Sequence, residues 1–341
     1  MSEKQLRFGI VGAGWFASRR HAPDLLRLTD VQVVGACRRD QQALNKFCDH
    51  FEIPGRFADF HDLLQSTHPD AVVIASPHAL HHEQARECLR KGIHVLVEKP
   101  LALNSVQAAD LCQIASEQNR VLAVALNPPY WAHCHLARQW IAEGRIGTLE
   151  AVEISWLSSA AALFGKEPLP EKMPGVVRPT SFRSDVSLSG GGQLMDGGQH
   201  TVSELLWVTG RPAMAVSSTM DSVPQDMRSS VSVVLDNRAV ATLMGVADSR
   251  IGARRAHSTY YGSEGTIRIG VGPFRIVLER PGKSPETVEE PEMPIIPTPV
   301  EDLVRCIRSG DAPLGSPGHA LETTRVIEAA YRSSASAERL A

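Results

Sequence analysis

The sequence predicts an α/β protein of two domains. The first is an N-terminal doubly wound parallel sheet; the second is an α/β domain with a large open, mostly antiparallel sheet. Three observations predict this. The first third alternates short continuous apolar runs with helical stretches, the texture of parallel strands buried on both faces. Later strands alternate polar and apolar side chains, as half-exposed antiparallel strands do. The length, 341 residues, exceeds one ordinary core and suits two.

Leu6 to Val11 reads as the first buried strand, Gly14 to Leu28 as a helix and Val31 to Cys37 as the second strand. Asp40 to His50 and Asp59 to Gln65 read as helices, and Asp70 to Ala75 as a strand. A helix over His81 to Lys91 ends at Gly92, where glycine takes a left-handed cap. Strand Ile93 to Val97, helix Ser105 to Gln118 and strand Val121 to Leu126 complete the first domain. Consecutive prolines in Asn127-Pro128-Pro129 break structure, so the domains are expected at 1–126 and 127–341. The second domain opens with helix Trp131 to Glu143 and strand Leu149 to Leu157. A stretch rich in proline and glycine, 158–181, is irregular, and such segments are usually functional. A helix from about Gly197 to Val208 stops at Gly210. Strands follow near 213–220, 229–236, 239–247, 256–261, 266–270 and 274–280, then helices Pro299–Ser309 and Gly318–Ala335.

Composition narrows the class. A net charge of −3 offers no basic field to nucleic acid. No apolar stretch reaches the roughly 20 residues of a membrane helix, and the N-terminus lacks a signal-peptide pattern. The six cysteines have no CxxC spacing, which argues against a metal cage or a disulfide framework. These features point to a cytoplasmic protein with free thiols, no metal and a small-molecule partner.

Gly12-Ala13-Gly14-Trp15-Phe16-Ala17 is a GxGxxA directly after a buried strand and opening a helix, the context that gives this motif meaning. Gly12 permits the tight turn, Gly14 lets backbone approach a pyrophosphate, and Ala17 allows close helix–sheet packing. The helix start then presents amides to phosphate. Strand two ends Arg38-Arg39-Asp40. An acid at this strand end favours NAD, whereas arginine accommodates the 2′-phosphate of NADP. Arg38 stands where the acid is expected and Arg39 adds charge, so NADP(H) is favoured; a shift to Asp40 would favour NAD(H).

Strand Ile93–Val97 ends in Glu98-Lys99-Pro100. Ligands of doubly wound sheets sit at the carboxyl ends of strands, where Lys99 can donate to a substrate oxygen. In Gly190 to His200, Asp196 and His200 are four apart, on one face of a helix that begins near Asp196. Histidine is the usual acid/base at neutral pH. Tyr130 and Trp131 either stack on a sugar ring or pack the domain joint. Arg178, Arg183, Arg254 and Arg255 are candidates to reach a pocket and, if two converge, to select an acidic substrate.

Together these residues resemble the glucose–fructose oxidoreductase / inositol dehydrogenase / rhizopine catabolism (Gfo/Idh/MocA) family. The resemblance spans nearly the whole chain: GxGxxA, Ser76-Pro77-His78-Ala79-Leu80-His81, Glu98-Lys99-Pro100, Arg145-Ile146-Gly147, Gly190 to His200 and Gly262 to Ile267. It implies a Rossmann domain, a catalytic set of Lys99, Asp196 and His200, and a cis bond before Pro100. It puts Pro77, His81 and Glu98 near the nicotinamide. Along the same motifs, Trp15, Phe16, Ser76, His78 and Asn127 are expected cofactor contacts. It also implies a homodimer or homotetramer built through the C-terminal sheet. Two departures stand out: Ser203 where many members carry an acid, with Glu204 one along, and Asn127-Pro128-Pro129-Tyr130-Trp131 where Asn-Arg-Arg-Phe is common. The expected function is hydride transfer between NAD(P) and a hydroxyl or carbonyl carbon of a sugar or polyol. Two alternatives are a cofactor-retaining enzyme that uses transient oxidation, and a non-catalytic nucleotide-responsive regulator.

Overall fold

The computed structural model describes residues 4–251, 255–270 and 273–337. They divide into two compact units, each discontinuous in sequence. The first unites residues 1–125, 168–189 and 297–321; the second, 126–167, 190–296 and 322–341.

The first unit is a six-stranded parallel sheet. Its strands are β1 (Leu6–Val11), β2 (Val31–Cys37), β3 (Gly55–Phe57), β4 (Ala71–Ile74), β5 (His94–Glu98) and β6 (Leu122–Ala125), in the order β3-β2-β1-β4-β5-β6. The order reverses between β1 and β4, the switch point at which doubly wound sheets bind ligands. Continuous apolar runs make these strands because helices cover the sheet: β4 is buried at all four residues. β3 was not expected; three residues are too few to display a strand pattern.

The predicted Gly14–Leu28 helix is two helices, α1 (Trp15–Arg19) and α2 (His21–Leu26), separated by Arg20 at φ −130° and ψ −70°. Pro23 is the reason. In a continuous helix its ring would collide with the Arg19 carbonyl, whereas in the first turn of α2 it is tolerated. The next helices begin on acidic caps: the Asp40 side chain accepts from the Ala43 amide ahead of α3 (Gln41–His50), and Asp59 accepts from His61 ahead of α4 (Phe60–Thr67). α5 (His81–Arg90) and α6 (Ser105–Glu117) follow.

The second unit holds α7 (Ala132–Ala142) and an eight-stranded sheet. The irregular stretch after β7 (Leu149–Leu157) leads through α8 (Val186–Ser189), which lies in the first unit. Then come α9 (Gln193–Asp196) and α10 (Gly198–Thr209), which Gly210 ends at φ +64°. The remaining strands are β8 (Ala213–Met220), β9 (Arg228–Leu235), β10 (Val240–Val246), β11 (Arg255–Gly262), β12 (Gly265–Gly270), β13 (Arg275–Glu279) and β14 (Glu286–Glu289). The order is β14-β13-β12-β11-β7-β10-β9-β8, antiparallel except for the β7–β10 pair. β14, Glu-Thr-Val-Glu, was not expected: a polar edge strand lacks the buried face that betrays a strand. β9 alternates strictly between exposed and buried, so one face of this sheet is open. α11 (Pro299–Ser309) packs into the first unit's core through Val300, Leu303 and Val304, and α12 (Pro317–Ala335) contributes Val326 and Ile327 to the second core.

Candidate active site

In the first unit, the glycine-rich turn follows β1 directly. Gly12 has φ +89°, and an added Cβ would stand 2.5 Å from the Ser76 nitrogen and 2.6 Å from the Ala75 carbonyl carbon. The ends of β1 and β4 therefore touch, and only glycine fits between them. The Gly12 and Ala13 amides both donate to the Cys37 carbonyl at 3.0 Å, fixing the turn to the end of β2. α1 starts at Gly14 without a capping side chain. Among the described residues no capping side chain consumes the amides that would meet a phosphate.

Arg38 folds over this turn. Its Nη1 is 3.3 Å from the Ala13 carbonyl oxygen, and a Cβ on Gly14 would meet the same nitrogen at 3.3 Å. Its buried Nε has no partner among the described residues. Burial lowers its pKa, partly offset by Asp40. Asp40 itself is committed to capping α3 and lies 3.9 Å from Nη2; Arg39 is exposed. A tight turn, an uncapped helix start and a guanidinium with an unspent donor fit a dinucleotide phosphate.

The carboxyl ends of β4 and β5 are tied together by one imidazole. His81, fully buried, places Nε2 2.9 Å from the Ser76 carbonyl oxygen and Nδ1 2.7 Å from that of Pro100. Burial drives its pKa down to about 4, against the upward pull of the two carbonyls. The Ser76 hydroxyl donates to Gln84 at 2.6 Å. Lys99 is buried at the tip of β5, and the Lys99–Pro100 bond is cis, as the family resemblance implies. Glu98 is also buried: its Oε1 accepts from His21 Nε2 at 2.7 Å and its Oε2 from the Lys99 amide at 3.2 Å. The other His21 ring nitrogen is buried with no partner among the described residues.

A strap formed by residues 168–189 belongs to this unit. Trp15 donates from Nε1 to the Pro174 carbonyl at 2.7 Å, and the Val176 amide donates to Ser18 Oγ at 3.2 Å. Beyond Pro77, which precedes a 3-10 turn over His78–Leu80, the His78 ring is buried. Its Nδ1 donates to the Ser189 carbonyl at 2.9 Å, and it lies edge-on to Phe182 at 5.0 Å. The Arg183 guanidinium sits 4.5 Å from the Phe182 ring centre. Phe16 contacts the His21 ring at 5.8 Å.

In the second unit, Asp196 ends α9 and His200 lies in the first turn of α10, with Gly197 in right-handed helical geometry between them. Asn127 Nδ2 is 3.5 Å from His200 Nε2, the outer limit of a hydrogen bond. Around the imidazole stand Trp131 and Trp156, each 6.1 Å away by ring centres, and parallel to each other at 6.0 Å. Phe274 lies 6.1 Å from Trp131 and stacks on His133 at 4.3 Å. Tyr130 is half-buried at the end of a 3-10 turn. Glu204 is buried under the Tyr260 hydroxyl at 2.9 Å, inside the core.

Of the expected residues, the first unit brings together Gly12, Gly14, Trp15, Phe16, Arg38, Ser76, Pro77, His78, His81, Glu98 and Lys99. The second brings together Asn127, Trp131 and His200, with Asp196 at the end of the preceding short helix. Arg178 turns back to the Pro170 carbonyl at 2.8 Å, Arg255 reaches Ser249 at 3.0 Å, and Arg254 lies outside the described residues. Sequence reasoning did not select His21, His133, Trp156 or Phe274. Only Trp156 carried a signal, since the alternation of β7 puts it on the same face as Val152 and Ile154, which are buried.

Residues 6–126 match the NAD-binding Rossmann domain of the GFO/IDH/MocA oxidoreductase family, and residues 134–268 match its C-terminal domain. D-glucoside 3-dehydrogenase of Escherichia coli K12 is 27% identical over 214 residues, 63% of this chain and 57% of that enzyme, so little more than half the relative's length is matched. A dTDP-3,4-didehydro-2,6-dideoxy-α-D-glucose 3-reductase of Streptomyces antibioticus is 31% identical over 79% of this chain and 76% of its own. Levoglucosan dehydrogenase in complex with NADH and levoglucosan shares the fold, with TM-score 0.85 at 19% identity over 97% of this chain and 98% of that one. With both domains matched in order, the chain belongs to the GFO/IDH/MocA family of NAD(P)-dependent oxidoreductases.

Proposed function

We propose that the protein transfers hydride between NADP(H) and a ring CH–OH or keto carbon of a sugar derivative. The observation that carries the reading is the contiguous constellation Gly12–Ser76–His81–Pro100. It ties the dinucleotide turn at the switch point to the buried Lys99 through contacts at the carboxyl ends of β1, β4 and β5. NAD(P), when bound, supplies the hydride chemistry. His200 takes or returns the hydroxyl proton, Asp196 orients the imidazole or holds a neighbouring hydroxyl, and the Lys99 ammonium stabilises developing negative charge on the oxygen. Trp131 and Trp156 offer apolar faces beside His200 to the CH face of a pyranose. Both relatives act at carbon 3 of a hexose by name, so glycosides and their 3-keto forms are the first substrates to test. The Arg38 guanidinium supports NADP(H) over NAD(H), since Asp40 is engaged as a helix cap.

The test is nicotinamide absorbance on a panel of glycosides, polyols and keto sugars with each cofactor. Lys99→Ala should lower kcat by roughly 10²- to 10⁴-fold while cofactor still quenches tryptophan fluorescence. A fully active Lys99→Ala enzyme would remove the lysine from the mechanism. The strap held to α1 by Trp15 favours a second reading, in which the cofactor is retained and turnover is redox-neutral; nucleotide co-purifying at one per chain would support it. The open sheet face, with Val240 and Met244 exposed at 55% and 41%, suits a homo-oligomer, and a monomeric mass by light scattering would refute that.

A further inference from the structure

The glycine run Gly190-Gly191-Gly192 ahead of Asp196 has a physical explanation elsewhere in the chain. α9 is a single short turn, and the amides at such a start have no partners within the helix. Here every one of the four is taken. Gly192 N and Met195 N each donate to the Tyr331 hydroxyl at 3.2 Å. Leu194 N donates to Asp226 Oδ2 at 2.8 Å, and Gln193 N donates to the Asp226 carbonyl at 2.7 Å. The Tyr331 hydroxyl in turn donates to Asp226 Oδ1 at 2.6 Å. Two residues, Asp226 and Tyr331, at least 32 and 136 positions downstream, thus account for the whole helix start.

Their approach leaves no space for side chains. A Cβ on Gly191 would lie 2.6 Å from the Tyr331 oxygen, and one on Gly192 would lie 2.1 Å from the Asp226 carbonyl oxygen. Downstream, Asp196 N donates to the Gly192 carbonyl at 3.2 Å, Gly197 N to that of Gln193 at 2.7 Å and His200 N to that of Gly197 at 3.1 Å. Hydrogen bonds therefore run from the clamp to both Asp196 and His200.

We propose that Tyr331 and Asp226 are positioning residues. They clamp the start of α9 and so hold Asp196 and His200 in working geometry, with Gly191 and Gly192 kept bare to admit them. This rests on the proposed catalytic role of Asp196 and His200. Asp226 is fully buried, and burial raises its pKa to about 6, while the Tyr331 hydroxyl and the Leu194 amide pull it down and Asp221 pushes it up. Tyr331, made a weaker acid by burial beside Asp226, stays a hydrogen-bond donor. Asp221 is itself held by the Met227 and Arg228 amides at 3.0 Å.

The test is Tyr331→Phe, which keeps the ring and removes only the hydroxyl, with Asp226→Asn as the second variant. Three results are expected for Tyr331→Phe. Amide hydrogen exchange at Gly192 and Met195 accelerates. kcat falls roughly 10- to 100-fold with the cofactor KM unchanged. The acid limb of the kcat profile moves toward neutral pH, because Asp226 loses a donor that favours its ionised form. In Asp226→Asn the part of that limb due to Asp226 disappears. Unaltered exchange in the 192–195 segment overturns the proposal, as does faster exchange with wild-type kcat or a lower melting temperature with an unmoved pH profile. The exchange measurement needs no substrate. A wild-type chain inactive on every sugar would therefore defeat the dehydrogenase reading, whereas unaltered exchange in an active Tyr331→Phe enzyme would defeat the clamp and leave that reading intact.

Discussion

At the scale of single residues, the proposed preference for NADP(H) rests on Arg38. The side chain is held over the glycine turn by the Ala13 carbonyl, and its buried Nε is unspent. A hydrogen bond between charged partners contributes about 1.5–3 kcal/mol, so Arg38→Ser should lower the ratio of kcat/KM for NADPH over NADH by roughly 10- to 100-fold. A ratio that stays put would move the 2′-phosphate contact to another group. That Arg38 directly follows β2 was legible in the chain, because the strand was. That Asp40 caps the next helix was not foreseen, though an acid three residues before Ala43 is an ordinary start signal. The pairing of His21 with Glu98 had no sequence signal, since it joins residues 77 apart.

At the scale of elements, the strap of residues 168–189 carries the clearest consequence. Its proline and glycine content announced irregular structure. Its attachment to α1 rests on one indole hydrogen bond, one serine hydroxyl and the close fit of Gly175, where a Cβ would be 2.8 Å from the Arg19 side chain. Trp15→Phe loses the bond to Pro174, about 1 kcal/mol, and should speed cofactor release roughly fivefold in stopped-flow displacement. An unchanged off-rate would mean the strap does not govern exchange. β1, β7 and α11 match the sequence to the residue because each carries a local signal: a continuous apolar run in β1, polar–apolar alternation in β7, and a proline start with a glycine stop in α11. The short elements β3, α8 and α9 do not, because so few residues carry no period, and their backbone partners lie elsewhere in the chain.

At the scale of the whole molecule, buried histidines link stability to pH. Burial lowers the His133 pKa from 6.5 to about 4. The folded state then stays neutral where the unfolded chain takes up a proton. The histidine's contribution is complete above pH 6.5 and is lost as pH falls toward about 4. Asp226 acts in the opposite sense, binding its proton more tightly when folded between pH 3.8 and about 6. A difference measurement isolates the histidine: the melting temperature of wild type minus that of His133→Phe should shrink steadily as pH is lowered through that window. A constant gap would show that His133 is protonated in the fold.

The sequence alone settled the alternation of buried strand and helix, the glycine turn at the first strand's end, the lysine at the fifth strand's tip and the switch to a half-exposed sheet. All of these follow from local chemistry: apolar period, caps, proline geometry and the spacing of a phosphate turn. Tertiary structure alone decided which distant groups pay off the desolvated polar atoms, among them His21 on Glu98, His81 between two carbonyls, and Tyr331 with Asp226 at the bare glycines. Such partners are chosen by the packing of elements far apart in the chain. A buried donor requires an acceptor, but nothing in its own neighbourhood specifies which residue supplies it.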